Sequence, residues 1–162
     1  MKRVLYITDR VMHYQKETFR QLEAALALRG IELVLLSGQD AGRKVGRVGI
    51  KDAVVANEHK YDFREYRIGT YTFRRLNGVL EKIGEIQPDV VVNAAHVGNW
   101  THWNIAFGKK KSGFKLVSWL CGYEFHPGKL KDFLLDRFIP RYDYHLVYHS
   151  NARDYALNHG AR

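Results

Sequence analysis

Short runs of β-branched and aliphatic residues alternate along this chain with stretches whose apolar positions recur every three or four residues. That is the strand–helix alternation of an α/β fold. Residues 2–8 (KRVLYIT) read as a buried strand, followed by a helix over 19–28 that extends to Arg29. Phe19, Leu22 and Leu26 share one face of it, Thr18 and Gln21 have capping-box spacing, and Gly30 supplies the stop. Residues 31–36 (IELVLL) are the second strand, and 37–51 form a glycine-containing loop. The third strand falls on 53–56 or on 61–68. The shorter run is favoured as the inner strand, with 61–68 as an extended edge or loop. A helix over about 70–86 is expected from the stripe Phe73, Leu76, Leu80 and Ile83, with Pro88 as its end. Residues 89–94 (DVVVNA) make a fourth strand, and 99–110 a helix with Trp100, Trp103 and Phe107 as its apolar stripe. Residues 115–120 are the fifth strand, 130–139 a helix stopped by Pro140, and 144–148 the sixth strand. Ser150 caps a last helix that ends at Gly160. Right-handed crossovers between these strands give a parallel sheet with the order 3-2-1-4-5-6. The predicted fold is α/β: a doubly wound, mostly parallel, Rossmann-like sheet in one domain spanning 1–162.

The turn after the first strand changes this picture. Residues 9–16 (DRVMHYQK) contain no glycine. A dinucleotide-binding unit places glycines there so that backbone can approach a pyrophosphate at the helix N-terminus. Here the turn offers imidazole, phenol and amide side chains, which suits a polar, sugar-like ligand read by side chains.

Composition adds bounds. The chain has 162 residues, 46% of them hydrophobic, enough for one compact core. A single cysteine, Cys121, excludes an internal disulfide and fits a reducing compartment. No amino-terminal signal precedes the first strand, and no apolar run approaches the ~20 residues of a spanning helix. A cytoplasmic location is therefore expected. The net charge of +9 gathers partly in Arg43, Lys44, Arg47 and Lys51 and partly in Lys109, Lys110, Lys111 and Lys115. Lys109 to Lys111 close a helix, where cations complement its dipole. The cluster from Arg43 to Lys51 has no such structural reason and is the candidate for peripheral contact with an anionic membrane. No recognisable nucleic-acid-binding motif occurs, so no nucleic-acid partner is expected.

Ligands of open α/β sheets bind beyond the carboxyl ends of the strands, where the strand order reverses. The first strand delivers His13, Tyr14 and Gln15 to that rim, the fourth His96, Asn99 and Trp100, the fifth Cys121, Tyr123, Glu124 and His126, and the sixth His149, Ser150 and Asn151. Amides, imidazoles and carboxylates suit hydroxyl groups, and aromatic faces suit C–H surfaces. Glu124, between Tyr123 and Phe125, is placed for proton transfer if its aromatic surroundings raise its pKa. Cys121 reads as a small buried hydrophobe, and Trp103 as core. No metal site is expected: HExxH and Cys/His clusters are absent, and His145 and His149 stand at opposite ends of one strand. No G-x-S-x-G elbow supports a serine hydrolase.

Four stretches carry a family resemblance: VLYITDRVMHYQKETFRQLEAALALRGIELVLLSG, IQPDVVVNAAH, KLVSWLCGYEFHPG and YDYHLVYHSNARDYALNHGAR. In pattern and order the chain resembles the N-terminal, acceptor-side domain of group 1 glycosyltransferases with the GT-B fold. The resemblance implies one half of a GT-B architecture, transferring a sugar from a nucleotide-sugar donor to a saccharide, lipid-linked or small-molecule acceptor. It implies that this half binds no cofactor, that the donor rests on a C-terminal domain or partner subunit absent from these residues, and that the isolated half is inactive. His13, Tyr14, Gln15, His96, Asn99, Trp100 and Tyr123 become acceptor-binding candidates, and Glu124 and His126 catalytic ones. The competing expectation is a non-catalytic Rossmann-like module that uses its basic loops on an anionic membrane or a nucleic acid.

Overall fold

The computed structural model describes residues 1–38, 52–69, 71–120 and 128–162. Its frame is a six-stranded sheet in which every described pairing is parallel. The strands are β1 (Lys2–Thr8), β2 (Ile31–Gly38), β3 (Glu58–Tyr61), β6 (Val90–Asn93), β7 (Lys115–Leu120) and β8 (Tyr144–Val147), in the order β3-β2-β1-β6-β7-β8. An antiparallel hairpin, β4 (Phe63–Ile68) and β5 (Tyr71–Leu76), stands apart from it. Leaving the hairpin out of the numbering, this is the expected order 3-2-1-4-5-6, with its reversal between β1 and β6. The Rossmann-like α/β arrangement is therefore present.

Alternation along the strands feeds two cores. On one face Leu5, Ile7, Val91 and Leu116 meet Ile83 of α2 (Val79–Ile86), Ile105 of α3 (Trp100–Ser112) and Phe138 of α4 (Lys129–Phe138). On the other, Tyr6, Leu35, Val92 and Val117 meet Phe19 of α1 (Lys16–Ala27). The last helix, α5 (Ser150–Asn158), follows the edge strand β8 and reaches α4 through His159 Nδ1 and Asp136 Oδ1, 2.7 Å apart.

Several expected elements are corrected. Residues 53–56 form no strand, 54–57 being bends, although Val54 and Val55 are buried; the strand is β3. Helix α1 begins earlier than the Thr18–Gln21 spacing implied, because a 3-10 turn over His13–Gln15 feeds directly into it. The helix expected over about 70–86 is strand β5 followed by the shorter α2. Gly78 has φ +72°, which a right-handed helix cannot contain, and Leu80 of the supposed buried stripe is 42% exposed. Helix α3 lies the other way round from expectation: Thr101, His102, Ile105 and Ala106 are buried, while Trp100 and Phe107 face outward. At α5 the capping side chain is that of His149, whose Nδ1 accepts from the amide of Ala152 at 3.3 Å; Ser150 is the first helical residue.

Candidate functional site at the strand reversal

Beyond the carboxyl ends of β1 and β6, the place where open α/β sheets form a ligand crevice, side chains arrive from three directions. From β1, the carbonyl of Thr8 accepts a hydrogen bond from Tyr61 Oη at 2.8 Å, and Asp9 follows. Gly38, at the end of β2, packs so closely on the Asp9 carbonyl that a Cβ there would collide with it. From the hairpin, Arg74 forms an ion pair with Asp9 and donates through Nε to Glu65 Oε1 at 2.9 Å. Its guanidinium also lies 5.8 Å from the Phe63 ring centroid. The third direction is the β6–α3 loop, where Gly98 accepts from the Arg74 amide at 2.7 Å and so fastens hairpin to loop. A Cβ on Gly98 would come within 2.9 Å of both His96 Cε1 and the Thr72 carbonyl oxygen, so the position has no room for a side chain.

Helix α3 starts beside these groups. Asn99 Oδ1 accepts from the amides of Thr101 at 3.1 Å and His102 at 3.4 Å, the N-cap arrangement. Thr101 Oγ1 accepts from the Leu76 amide at 2.9 Å, which ties the end of β5 to α3. His102 is 3% exposed, and its Nδ1 accepts from the His96 amide at 3.3 Å. Burial pushes the His102 pKa down to about 4; Asp9 pulls it upward, and His96 and Arg74 push it further down. A neutral imidazole that accepts at Nδ1 carries its proton on Nε2, so His102 is a neutral donor here. Burial alone would lower the pKa of Arg74, but Asp9 and Glu65 outweigh it and raise the value. Buried Tyr61 is raised well above the ordinary phenol, by desolvation first and by Asp9 second. The Nδ2 of Asn99, a buried amide donor, has no partner among the described residues.

The expected site residues divide. His96 and Asn99 do belong to this crevice. His96 is exposed, with Nδ1 accepting from the Gly98 amide at 3.0 Å. Asn99 is buried and acts first as a helix cap. His13 and Tyr14 stand exposed on the 3-10 turn beyond Asp9, their rings 5.5 Å apart and edge to face. Gln15 is a turn residue: its Oε1 accepts from the Met12 amide at 3.0 Å. Trp100, 61% exposed, lies on the outer side of the hairpin from Arg74. There it lines a hollow of about 360 Å³ with Phe73, Trp103 and Phe107. Trp103 is only partly buried and donates to the Val97 carbonyl at 2.9 Å. His145 Nδ1 and Ser118 Oγ share a hydrogen bond of 2.7 Å, and His149 Nδ1 is used to cap α5. Lys109 pairs with Asp143 at 3.0 Å, a structural use of that cation. Cys121, Tyr123, Glu124 and His126 lie outside the described residues, as do Arg43, Lys44, Arg47 and Lys51. Sequence reasoning missed Asp9, Arg74 and His102. Asp9 was findable as the first residue after the first strand, whereas Arg74 was hidden by the false helix.

Among the described residues no helix is long and apolar enough to cross a membrane, and no three His, Cys, Asp or Glu side chains gather as a metal centre. No family model matches the chain, and no curated protein matches it. Among solved structures the chain is similar to an isochorismatase-like hydrolase from Alkaliphilus metalliredigens, with a TM-score of 0.43 and 13% identity over 97% of this chain and 98% of that one. At that level the neighbour's activity does not transfer to this chain. Neither a family model nor a curated protein supports the resemblance to GT-B glycosyltransferases, and the similar solved structure carries another description, so that resemblance is corrected. The half-GT-B architecture, the sugar-transfer activity and the acceptor-side role are withdrawn, and the basic-loop module for membrane or nucleic acid gains no support.

Proposed function

We propose that this chain binds a small hydroxyl-bearing molecule, neutral or cationic, in the crevice at the β1–β6 reversal. The observation that carries the reading is the Asp9–Arg74 ion pair at the mouth of that crevice, with both side chains about one-third exposed. Open α/β sheets take their ligands at this place. Charge sets the ligand class. Asp9 and Glu65 bring two negative charges against the one positive charge of Arg74, and His102 is neutral. The guanidinium is already engaged by two carboxylates, so an anionic ligand gains little from it. Hydroxyl and ammonium protons find an acceptor in the Asp9 carboxylate. The unpartnered Asn99 Nδ2 is a donor that a ligand oxygen or a bound water would satisfy.

A three-member panel tests this by calorimetry: glucosamine, glucose and glucose 6-phosphate. The expected order of affinity is glucosamine, then glucose, then glucose 6-phosphate. Asp9→Asn should weaken the first two by at least ~10-fold, the loss of a charge-assisted hydrogen bond. Tightest binding of the phosphate ester, or an unchanged Kd in the variant, removes this reading.

A further inference from the structure

A further hollow, which shares no lining residue with the site at the β1–β6 reversal, lies on the sheet face that carries α1. Its volume is about 730 Å³, within the roughly 300–1,000 Å³ of small-molecule sites. Val92, Val117, Tyr6 and Trp119 form its floor, Leu22 and Leu26 of α1 one wall, and Ala156 and Leu157 of α5 the other. The charged side chains lining it are those of Arg153 and Arg162, and no Asp or Glu side chain lines it among the described residues. Arg153 lies in the first turn of α5 and Arg162 just beyond its end. The hollow therefore has a guanidinium toward each end of its α5 wall.

The shape narrows the choice of occupant. An unpartnered sheet face awaiting a whole helix, about 10 Å across, would leave its floor open to water. Here Val92 and Val117 are only 6% and 8% exposed. The rings of Tyr6 and Trp119, 5.4 Å apart, lie over this part of the sheet. Flanking side chains shade the floor at β6 and β7, while Leu146, Val147 and Leu157 on the β8 and α5 side are exposed, so the hollow is a slot open along that edge. A slender apolar body fits it, and the two arginines select an anionic head.

We propose that this slot binds one molecule of a long-chain carboxylate, its alkyl chain laid along α5 and its head group at an arginine-bearing mouth. Nine residues of α5 span about 14 Å, a length suited to a chain of ten to twelve carbons. The site is separate from the crevice, and the inference does not depend on the ligand proposed there.

The test uses the 162-residue chain with laurate, dodecanol and dodecyltrimethylammonium below their aggregation limits, followed by methyl NMR and calorimetry. Laurate should shift the methyls of Val92, Val117 and Leu157 and leave Leu5 and Leu116, on the opposite face, unmoved. Dodecanol should bind at least fivefold more weakly, and dodecyltrimethylammonium more weakly still. The surface double variant Arg153→Glu/Arg162→Glu, checked for an unchanged urea midpoint, should lose at least fivefold in laurate affinity. Val117→Phe should block the slot while glucosamine binding stays as in the parent protein. Equal affinity for the cationic amphiphile, or slot methyls that do not respond, overturns the proposal. So does tighter binding of an acidic amphipathic peptide, of phosphatidylglycerol vesicles or of a second copy of the chain, the last seen as concentration-dependent shifts at the same methyls.

Discussion

At the scale of single residues, His102 is the position where the crevice affects stability most directly. Its imidazole is buried against Asp9, His96 and Arg74, and its pKa falls to about 4 from an ordinary value near 6.5. A histidine held neutral in the folded chain but free to protonate when unfolded gives full stability above pH ~6.5. That contribution is lost as pH falls through the folded value near 4. Holding the imidazole at about 4 in place of 6.5 corresponds to roughly 3 kcal/mol as an upper figure. Urea titrations between pH 4 and 7 should show stability falling toward acid, and His102→Gln should flatten that segment of the curve. An unchanged slope in the variant would assign the acid sensitivity to other groups. His145, also lowered by burial, is the control position, because it faces Ser118 and not the crevice. The sequence put His96 and Asn99 after the fourth strand, where the structure has both in the β6–α3 loop, since residues after a strand must lie beyond its end. It could not show that His102 turns inward, because a Trp-rich stripe on the same helix looked like the better candidate for burial.

Elements tell a similar story. The strands were legible because β-branched runs between turn residues have few alternatives; the stretch between β3 and α2 was not. Phe73, Leu76, Leu80 and Ile83 have helical spacing, yet Leu76 ends a strand and Ile83 lies in a helix, with Asn77-Gly78 between them. That Asn-Gly pair was the overlooked signal, because glycine takes the left-handed conformation at little cost and ends one element before the next. Arg74 reached the candidate site only once the stretch was a hairpin. Two glycine substitutions probe this organisation with opposite signs. Gly84 sits on the exposed side of α2 with open space around its missing Cβ, so Gly84→Ala should stabilise by about 0.5–1 kcal/mol through helix propensity. Gly98 is hemmed in by His96 and the Thr72 carbonyl where the hairpin meets the β6 loop. Gly98→Ala should destabilise by about 1–3 kcal/mol and weaken glucosamine binding with it. Urea midpoints of the two variants that move in the same direction would contradict this reading.

Across the whole molecule, the sheet is fastened at both ends of β1 by arginines from different elements. At its start, Arg3 donates to Glu32 Oε2 at 3.0 Å and to the Ile86 carbonyl at 2.9 Å, while its amide donates to Asp89 Oδ2 at 2.7 Å. At its far end, Arg74 joins Asp9 to Glu65 of the hairpin. Between these clamps β1 pairs on both sides, with β2 and β6, and carries Leu5 at 0% exposure. Strand β8 is the opposite case: among the described residues it pairs only with β7, and Tyr144, Leu146 and Val147 are exposed. Local opening should follow that gradient, because an edge strand with few buried contacts separates without disturbing the core. Native-state hydrogen exchange should find the amides of β1 and β6 opening only with global unfolding. Those of β8 and of the β4–β5 hairpin should exchange at least ~100-fold faster, a difference of about 3 kcal/mol. Protection of β8 equal to that of β1 at low protein concentration would mean that the core extends to that edge. Protection that appears only as concentration rises would mean that another chain pairs with it. Adding laurate should slow β8 more than β1, since the slot is bordered by β8 and α5, so one exchange experiment reads both the gradient and the proposed ligand.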